Sequence, residues 1–283
     1  MASRRPMLVW IPMYPYTKEC YLEDFEGNYF KTLLPHCVGI GKECVGLTCG
    51  YMVFYGEKTR DFWLINPITR NELHFPAFPG SPGKAILVFS PSMPGSGLVL
   101  VVLNRSSYRI WFSLEGKGAR NHVSSVNHFL DLHAFKGKIY TLNSNGCLYE
   151  LRFNPKPKLT LLEIKNLGES RIFHREFVSS GENLYVIQYI SEDLFQVQEL
   201  NFGEMKLVSL EENTIGEYAF FLSIWNHHSV AIKPESWAVD PRSDFKSYDC
   251  FCDSTDETQK GRFFKTRMWY FPHLCLDVDL VNE

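Results

Sequence analysis

Cysteine, histidine and carboxylate side chains are the groups that could ligate a metal or move protons, and this chain carries eight Cys, nine His and 32 Asp plus Glu. Their spacing argues against a metal site. Cys44-x4-Cys49 and Cys250-x-Cys252 are not zinc-knuckle spacings, and on a strand Cys250 and Cys252 would share one face. His122, His128 and His133 are scattered through a loop and a strand, while His227 and His228 adjoin, so a strand would point them apart. No Gly-x-Ser-x-Gly elbow, His-Glu-x-x-His pair or Walker loop occurs. Gly116-Lys-Gly118 lacks a third glycine and a helix after it, and reads as a hairpin loop. A glycosidase needs two carboxylates roughly 5–9 Å apart, which spacing along the chain cannot place. The expectation is a protein with no catalytic residue, no metal and no cofactor.

Composition narrows the partners. The net charge of −3 gives no single-sign field of the kind that binds nucleic acid or an anionic membrane. The most basic stretch, Lys260-Gly-Arg262-Phe-Phe-Lys265-Thr-Arg267, alternates with aromatics and reads as the charged face of a strand. No run approaches 18 apolar residues, so no membrane span is expected. The N-terminal Met1-Ala-Ser-Arg-Arg-Pro-Met7 leads straight into Leu8-Val-Trp-Ile11, too short for a secretory signal. Most cysteines sit in apolar runs, as in Asn145-Gly-Cys147-Leu-Tyr149, where Cys acts as a small hydrophobe. A reducing compartment, cytoplasmic or nuclear, is the expected address, with an organelle left open because the first acidic residue is Glu19. The sequon Asn104-Arg-Ser106 then carries no weight.

The elements that would position any site are short strands. Aromatics make up 15% of the chain, which suits pleated, half-buried surfaces. Gly50 opens Tyr51-Met-Val-Phe-Tyr55, then Asp61-Phe-Trp-Leu-Ile65 and Glu72-Leu-His-Phe75. Gly137 and Gly181 open similar three-strand runs, and Ala85-Ile-Leu-Val-Phe89 is a further strand. Gly137 follows Gly50 by 87 residues and precedes Gly181 by 44, half as much, with Gly97 near the midpoint. Extending the interval both ways reaches Leu8-Val-Trp-Ile11 and Ser229-Val-Ala-Ile232. Such a period, roughly 40–50 residues, is that of propeller blades, whose sheets hide one another's apolar faces. The expectation is one all-β β-propeller domain over residues 1–283, with about six and at most seven blades. Its inner strands follow the glycines, and Leu8–Ile11 and Met268–Phe271 complete one shared blade. Asn66-Pro-Ile-Thr69 and Asn143-Ser-Asn-Gly146 read as hairpin turns.

Several stretches resemble the plant F-box-associated propeller family, long catalogued as a domain of unknown function. They are Leu64-Ile-Asn-Pro67-x-Thr69-x-x-Glu72-Leu73, Phe135-Lys-Gly-Lys-Ile-Tyr140 with Gly146-x-Leu-Tyr149-Glu-Leu151, and Gly181-Glu-Asn-Leu-Tyr-Val-Ile187. Val197-Gln-Glu-Leu-Asn-Phe-Gly203-Glu-Met205, Phe220-Phe-Leu222 and Met268-Trp-Tyr-Phe-Pro272 continue the series. The resemblance implies a propeller that selects the substrate of a ubiquitin ligase, one branch targeting a shaggy-like kinase. It also implies an F-box that docks the ligase scaffold. Nothing here matches an F-box, since Leu34-Pro35 has no helical pattern after it. Ser223 and Trp225 also depart from the family pattern, which has a Gly after Leu222.

Partner binding is expected on loops. Trp225, His227, His228 and, beyond them, Trp237 form the least regular aromatic segment and are the candidate partner-binding loop, although packing of both Trp side chains between blades is the reading that their residue type favours. The chain reads as a monomeric, non-catalytic protein-interaction module that binds a protein partner but no ligase scaffold, nucleic acid or membrane. Without a recruiting arm it would compete with full-length relatives for that partner. The alternative is a propeller enzyme acting on a carbohydrate or small metabolite.

Overall fold

The computed structural model describes residues 6–11, 19–24, 27–34, 42–89, 97–104, 106–119, 121–153, 157–167, 174–190, 195–210, 217–223, 229–233, 262–266 and 269–271. Among them every regular element is a strand. The first sheet joins both ends of the chain: β1 (Met7–Trp10), β2 (Glu19–Glu23), β3 (Tyr29–Leu33) and β23 (Trp269–Tyr270), in the order β23-β1-β2-β3. Three four-stranded meanders follow. They are β4 (Lys42–Thr48) to β7 (Glu72–Phe75) with β5 (Tyr51–Gly56) and β6 (Asp61–Ile65), and β8 (Lys84–Phe89) to β11 (Asn121–Ser124) with β9 (Leu98–Asn104) and β10 (Arg109–Leu114). The last comprises β12 (Phe129–Phe135), β13 (Lys138–Asn143), β14 (Leu148–Arg152) and β15 (Lys158–Leu162). The fifth sheet has seven strands: β16 (His174–Ser179), β17 (Leu184–Tyr189), β18 (Phe195–Asn201), β19 (Lys206–Ser209), β20 (Ala219–Ser223), β21 (Val230–Ile232) and β22 (Arg262–Thr266).

The propeller therefore has five blades, not the six or seven expected from the glycine spacing. The module around Ser229 does form strands, but Ser179 of β16 bridges Val230 of β21 in parallel, so β20, β21 and β22 extend the fifth sheet. The expected closure is present. Met7 pairs with Tyr270 and Leu8 with Trp269, antiparallel. Trp269 then packs edge-on against Phe221 of β20, with ring centroids 5.0 Å apart, linking the first sheet to the last.

A second correction concerns which strand is innermost. The strands after Gly50, Gly97 and Gly137 are second in their sheets, and the first strands converge instead, β4 on β8, β8 on β12 and β12 on β16. The glycines serve the hairpins between first and second strands. Cys49 and Gly50 have φ of 50° and 73°, and Lys136 and Gly137 of 46° and 75°. Paired positive φ values are what a two-residue hairpin loop requires to match strand twist.

Radial stacking explains why the strands read as unbroken apolar runs. In β9, Val99, Val101 and Leu103 face the fourth sheet's side of the core, while Leu100 and Val102 face the second sheet. In β5, Met52 and Phe54 face the first sheet, while Val53 and Tyr55 face the third. With both faces covered, each such side chain contributes about 1.5–3 kcal/mol of burial. The two expected Asn turns are present. Asn66 Oδ1 accepts from the N–H groups of Ile68 and Thr69, each at 2.9 Å, and Asn143 Oδ1 from those of Asn145 and Cys147 at 3.1 and 2.8 Å.

Candidate functional site

Polar side chains cluster where the first strands converge. Lys84, at the start of β8, donates from Nζ to Asp131 Oδ1 of β12 at 2.6 Å. A bulge in β12 between Phe129 and Asp131 breaks the strand's register next to this carboxylate, the device that re-aims a side chain. Asp131 also accepts from its neighbour Leu132 N at 2.8 Å and, through Oδ2, from Phe177 N of β16 at 2.7 Å. His133 Nε2 lies 2.9 Å from Ser179 Oγ, again spanning β12 and β16. Glu176 accepts Tyr189 Oη at 2.5 Å and Ser229 Oγ at 3.4 Å, which ties β16 to the start of β21. On the other side Thr48 Oγ1 accepts Leu87 N at 2.9 Å and Cys49 Sγ donates to Leu87 O at 3.1 Å, joining the second sheet to β8.

These groups are shut away from water. Burial pushes the Glu176 carboxyl up to about 7, with the Asp131 charge acting in the same direction. Burial holds the His133 imidazole down to about 3, and the Lys84 ammonium adds to that. Asp131 and Glu176 are the two carboxylates of this cluster. Both are buried, and all four of their oxygens accept a hydrogen bond from the protein itself. Chemically the cluster is a series of blade-to-blade staples. Spacing rules missed it, yet it left a signal: a single charged residue inside each apolar run, Lys84 before Ala85–Phe89 and Asp131 within Phe129–Phe135.

Aromatic and imidazole rings are paired farther out. Trp63 of β6 lies opposite His74 of β7 and stacks on it, ring centroids 4.2 Å apart. Trp111 of β10 lies opposite His122 of β11 at 4.4 Å. Lys42 covers the Trp63 ring at 4.8 Å and Arg109 the Trp111 ring at 5.9 Å, so two consecutive blades repeat one cation–indole–imidazole arrangement. Asp61 takes the Trp63 Nε1–H at 2.9 Å and lies 3.1 Å from His74 Nε2. Burial pushes its carboxyl up, but hydrogen bonds from Thr59, His74 and Trp63 outweigh that and hold it below the usual range. His128 stacks on Tyr108 at 4.0 Å. The three histidines His122, His128 and His133 therefore serve three different partners.

The largest exposed apolar side chains in one strand belong to β3, where Tyr29 is 65%, Phe30 50% and Leu33 52% exposed. The candidate loop residues Trp225, His227, His228 and Trp237 all lie outside the described residues. Ser223 N donates to Ser229 Oγ at 3.1 Å, which joins the end of β20 to the start of β21. Among the described residues, Cys20, Cys44, Cys49 and Cys147 form no disulfide. Asn104 of the sequon is buried and works in a turn, its Oδ1 accepting from Ser106 Oγ at 2.8 Å and Ser107 N at 3.0 Å.

Among curated proteins none matches this sequence. Solved structures with a related arrangement include BBS1N in complex with ARL6DN, at a TM-score of 0.44 and 13% identity, aligned over 72% of this chain and 62% of that one. This chain thus spans less than two thirds of that relative. A protein of unknown function from Bacteroides caccae aligns at a TM-score of 0.43 and 12% identity, over 73% of this chain and 72% of that one. Another from Bacteroides thetaiotaomicron VPI-5482 aligns at 0.41 and 8%, over 78% and 68%. The sequence profile of the KIB1-4 beta-propeller matches residues 21–241, which takes in every strand from β3 to β21. With most of its length matched in this way, the chain belongs to the KIB1-4 β-propeller family.

Proposed function

We propose that this propeller is a non-catalytic interaction module that holds a protein partner, in the manner of a ubiquitin-ligase substrate receptor. The observation that carries the reading is the commitment of the axial acid–base groups. Lys84, Asp131 and His133 are consumed by hydrogen bonds between neighbouring blades and Glu176 by hydrogen bonds within the fifth sheet, whereas aromatic and apolar surface faces outward on β3 and the outer strands. A site that performs chemistry needs its acid or base free to meet a substrate; a site that binds protein needs exposed anchors on a rigid frame. The ligase connection comes from the motif resemblance, and the reduced cysteines Cys20, Cys44, Cys49 and Cys147 suit a reducing compartment such as cytosol or nucleus.

The test is competition. The 283-residue chain, added in excess, displaces an F-box-bearing relative from the protein that relative recruits, and does so as a monomer. Failure to bind any such partner overturns the reading, as does steady turnover of a glycoside that is lost on Asp131→Asn in a variant that keeps its fold.

A further inference from the structure

The edge of β3 is built for pairing. Asp24 N donates to Asn28 O at 3.1 Å, which makes those two residues the hydrogen-bonded pair that closes the β2–β3 hairpin. The register then runs without a bulge through Glu23–Tyr29, Leu22–Phe30, Tyr21–Lys31, Cys20–Thr32 and Glu19–Leu33. Hydrogen-bonded and non-hydrogen-bonded pairs alternate in an antiparallel ladder. Phe30 and Thr32 therefore spend their backbone groups on β2, while Tyr29, Lys31 and Leu33 turn theirs to the open edge. Among the described residues no strand lies along it.

Two other outer edges, those of β7 and β19, are covered. His74 O of β7 accepts Gly116 N at 3.1 Å, and Lys165 covers the start of β19 through Met205 O at 2.8 Å and Leu207 N at 3.4 Å. β11 is short and presents exposed Asn121 and His122, and β15 exposes one large apolar side chain, Leu161. Long apolar edges without such covering are templates for another strand. A second copy of this chain is a poor occupant. The antiparallel register that uses all three outward residues of both copies sets Lys31 opposite Lys31, and directly opposed like charges repel. Lys31 pairs with Glu19 at 2.5 Å yet remains 53% exposed, so its ammonium keeps donors for a further carboxylate.

We propose that β3 captures an extended segment of a different protein by strand addition, with an acidic residue opposite Lys31 and apolar residues two positions to either side, against Tyr29 and Leu33. This rests on the interaction-module reading and names the partner's chemistry. Backbone pairing supplies the affinity in such complexes, and the alternating side chains supply the choice.

The test uses the full chain and a seven-residue peptide that alternates threonine and valine around a central glutamate, at millimolar concentration, followed by amide hydrogen exchange. In the free chain the amides of Tyr29, Lys31 and Leu33 exchange faster than those of Phe30 and Thr32. The peptide slows the three by about tenfold or more, as new ladder bonds require. Lys31→Glu, an exposed change that leaves the fold intact, transfers this effect to a lysine-centred peptide. Three amides already slow in the free chain overturn the proposal, as does a peptide without effect, or an effect indifferent to Lys31→Glu. Any of these results in a chain that still displaces a full-size relative from its partner removes the edge and leaves the interaction module standing.

Discussion

Lys84 Nζ and Asp131 Oδ1 meet at 2.6 Å with neither side chain more than 2% exposed, and this ion pair welds the first strands of the third and fourth blades. Removing one partner of a buried pair leaves a charge without compensation and costs about 3–5 kcal/mol. Lys84→Met should destabilise the fold in that range by urea denaturation. Asp131→Ala should cost more, because the same carboxylate holds Phe177 N of the next blade. A double variant should recover part of the loss of Lys84→Met only if Phe177 N finds water.

Ring closure should be sensitive to two aromatic residues. Tyr270 donates from its hydroxyl to Gly50 O at 3.2 Å, a bond between the first and second sheets worth about 1 kcal/mol, so Tyr270→Phe is mild. Trp269 is fully buried against Phe221, so Trp269→Ala should cost about 3–5 kcal/mol. Calorimetric or circular-dichroism melting separates the two.

Two buried groups should bend the stability–pH curve in opposite directions. Glu176 is raised from 4.5 to about 7, so the folded form holds its proton more tightly than the unfolded chain does. Its contribution is greatest below pH 4.5 and declines as pH rises to about 7. His133 is lowered from 6.5 to about 3, so the folded form resists protonation, and stability falls as pH drops from 6.5 towards 3. Glu176→Gln should flatten the alkaline limb and His133→Asn the acid limb, each measured by denaturation across pH 3 to 8.

The sequon should be silent even in a secretory pathway. Asn104 is 1% exposed and its amide nitrogen approaches Pro79 O at 3.4 Å, so no glycan fits on the folded chain. Mass spectrometry of secreted, folded protein should find Asn104 unmodified. Asn104→Ala should cost about 1–3 kcal/mol by orphaning the turn donors Ser106 Oγ and Ser107 N.

The strands after Gly50, Gly97, Gly137 and Gly181 were legible because each of these glycines takes a positive φ, and because double-sided burial writes continuous apolar runs. The closing strands were legible too, as aromatic segments at both ends. The first strands β4, β12 and β16 were not, since Glu43, Asp131, His133 and Glu176 interrupt their apolar pattern. Two of those interruptions, Asp131 and His133, are staples between blades, so residues that fix the ring also disguise an inner strand. Blade number was misread for a related reason: a 44-residue step counts modules, while a one-residue bridge from Ser179 to Val230 decides whether a module becomes a separate sheet. The exposed edge of β3 left no signal, because open and covered outer strands share one composition.

Leu8 meets Glu23 of β2 early but cannot find its second partner until Trp269 exists, which sets an order on biogenesis. A ribosome releases β1 and β2 long before the strand that completes their sheet, so the first blade waits with one flank bare while the others assemble. Ring closure then waits for Trp269, and a product halted short of it emerges as an unsealed arc, with the inner edge of β1 open to chaperones or to neighbouring chains.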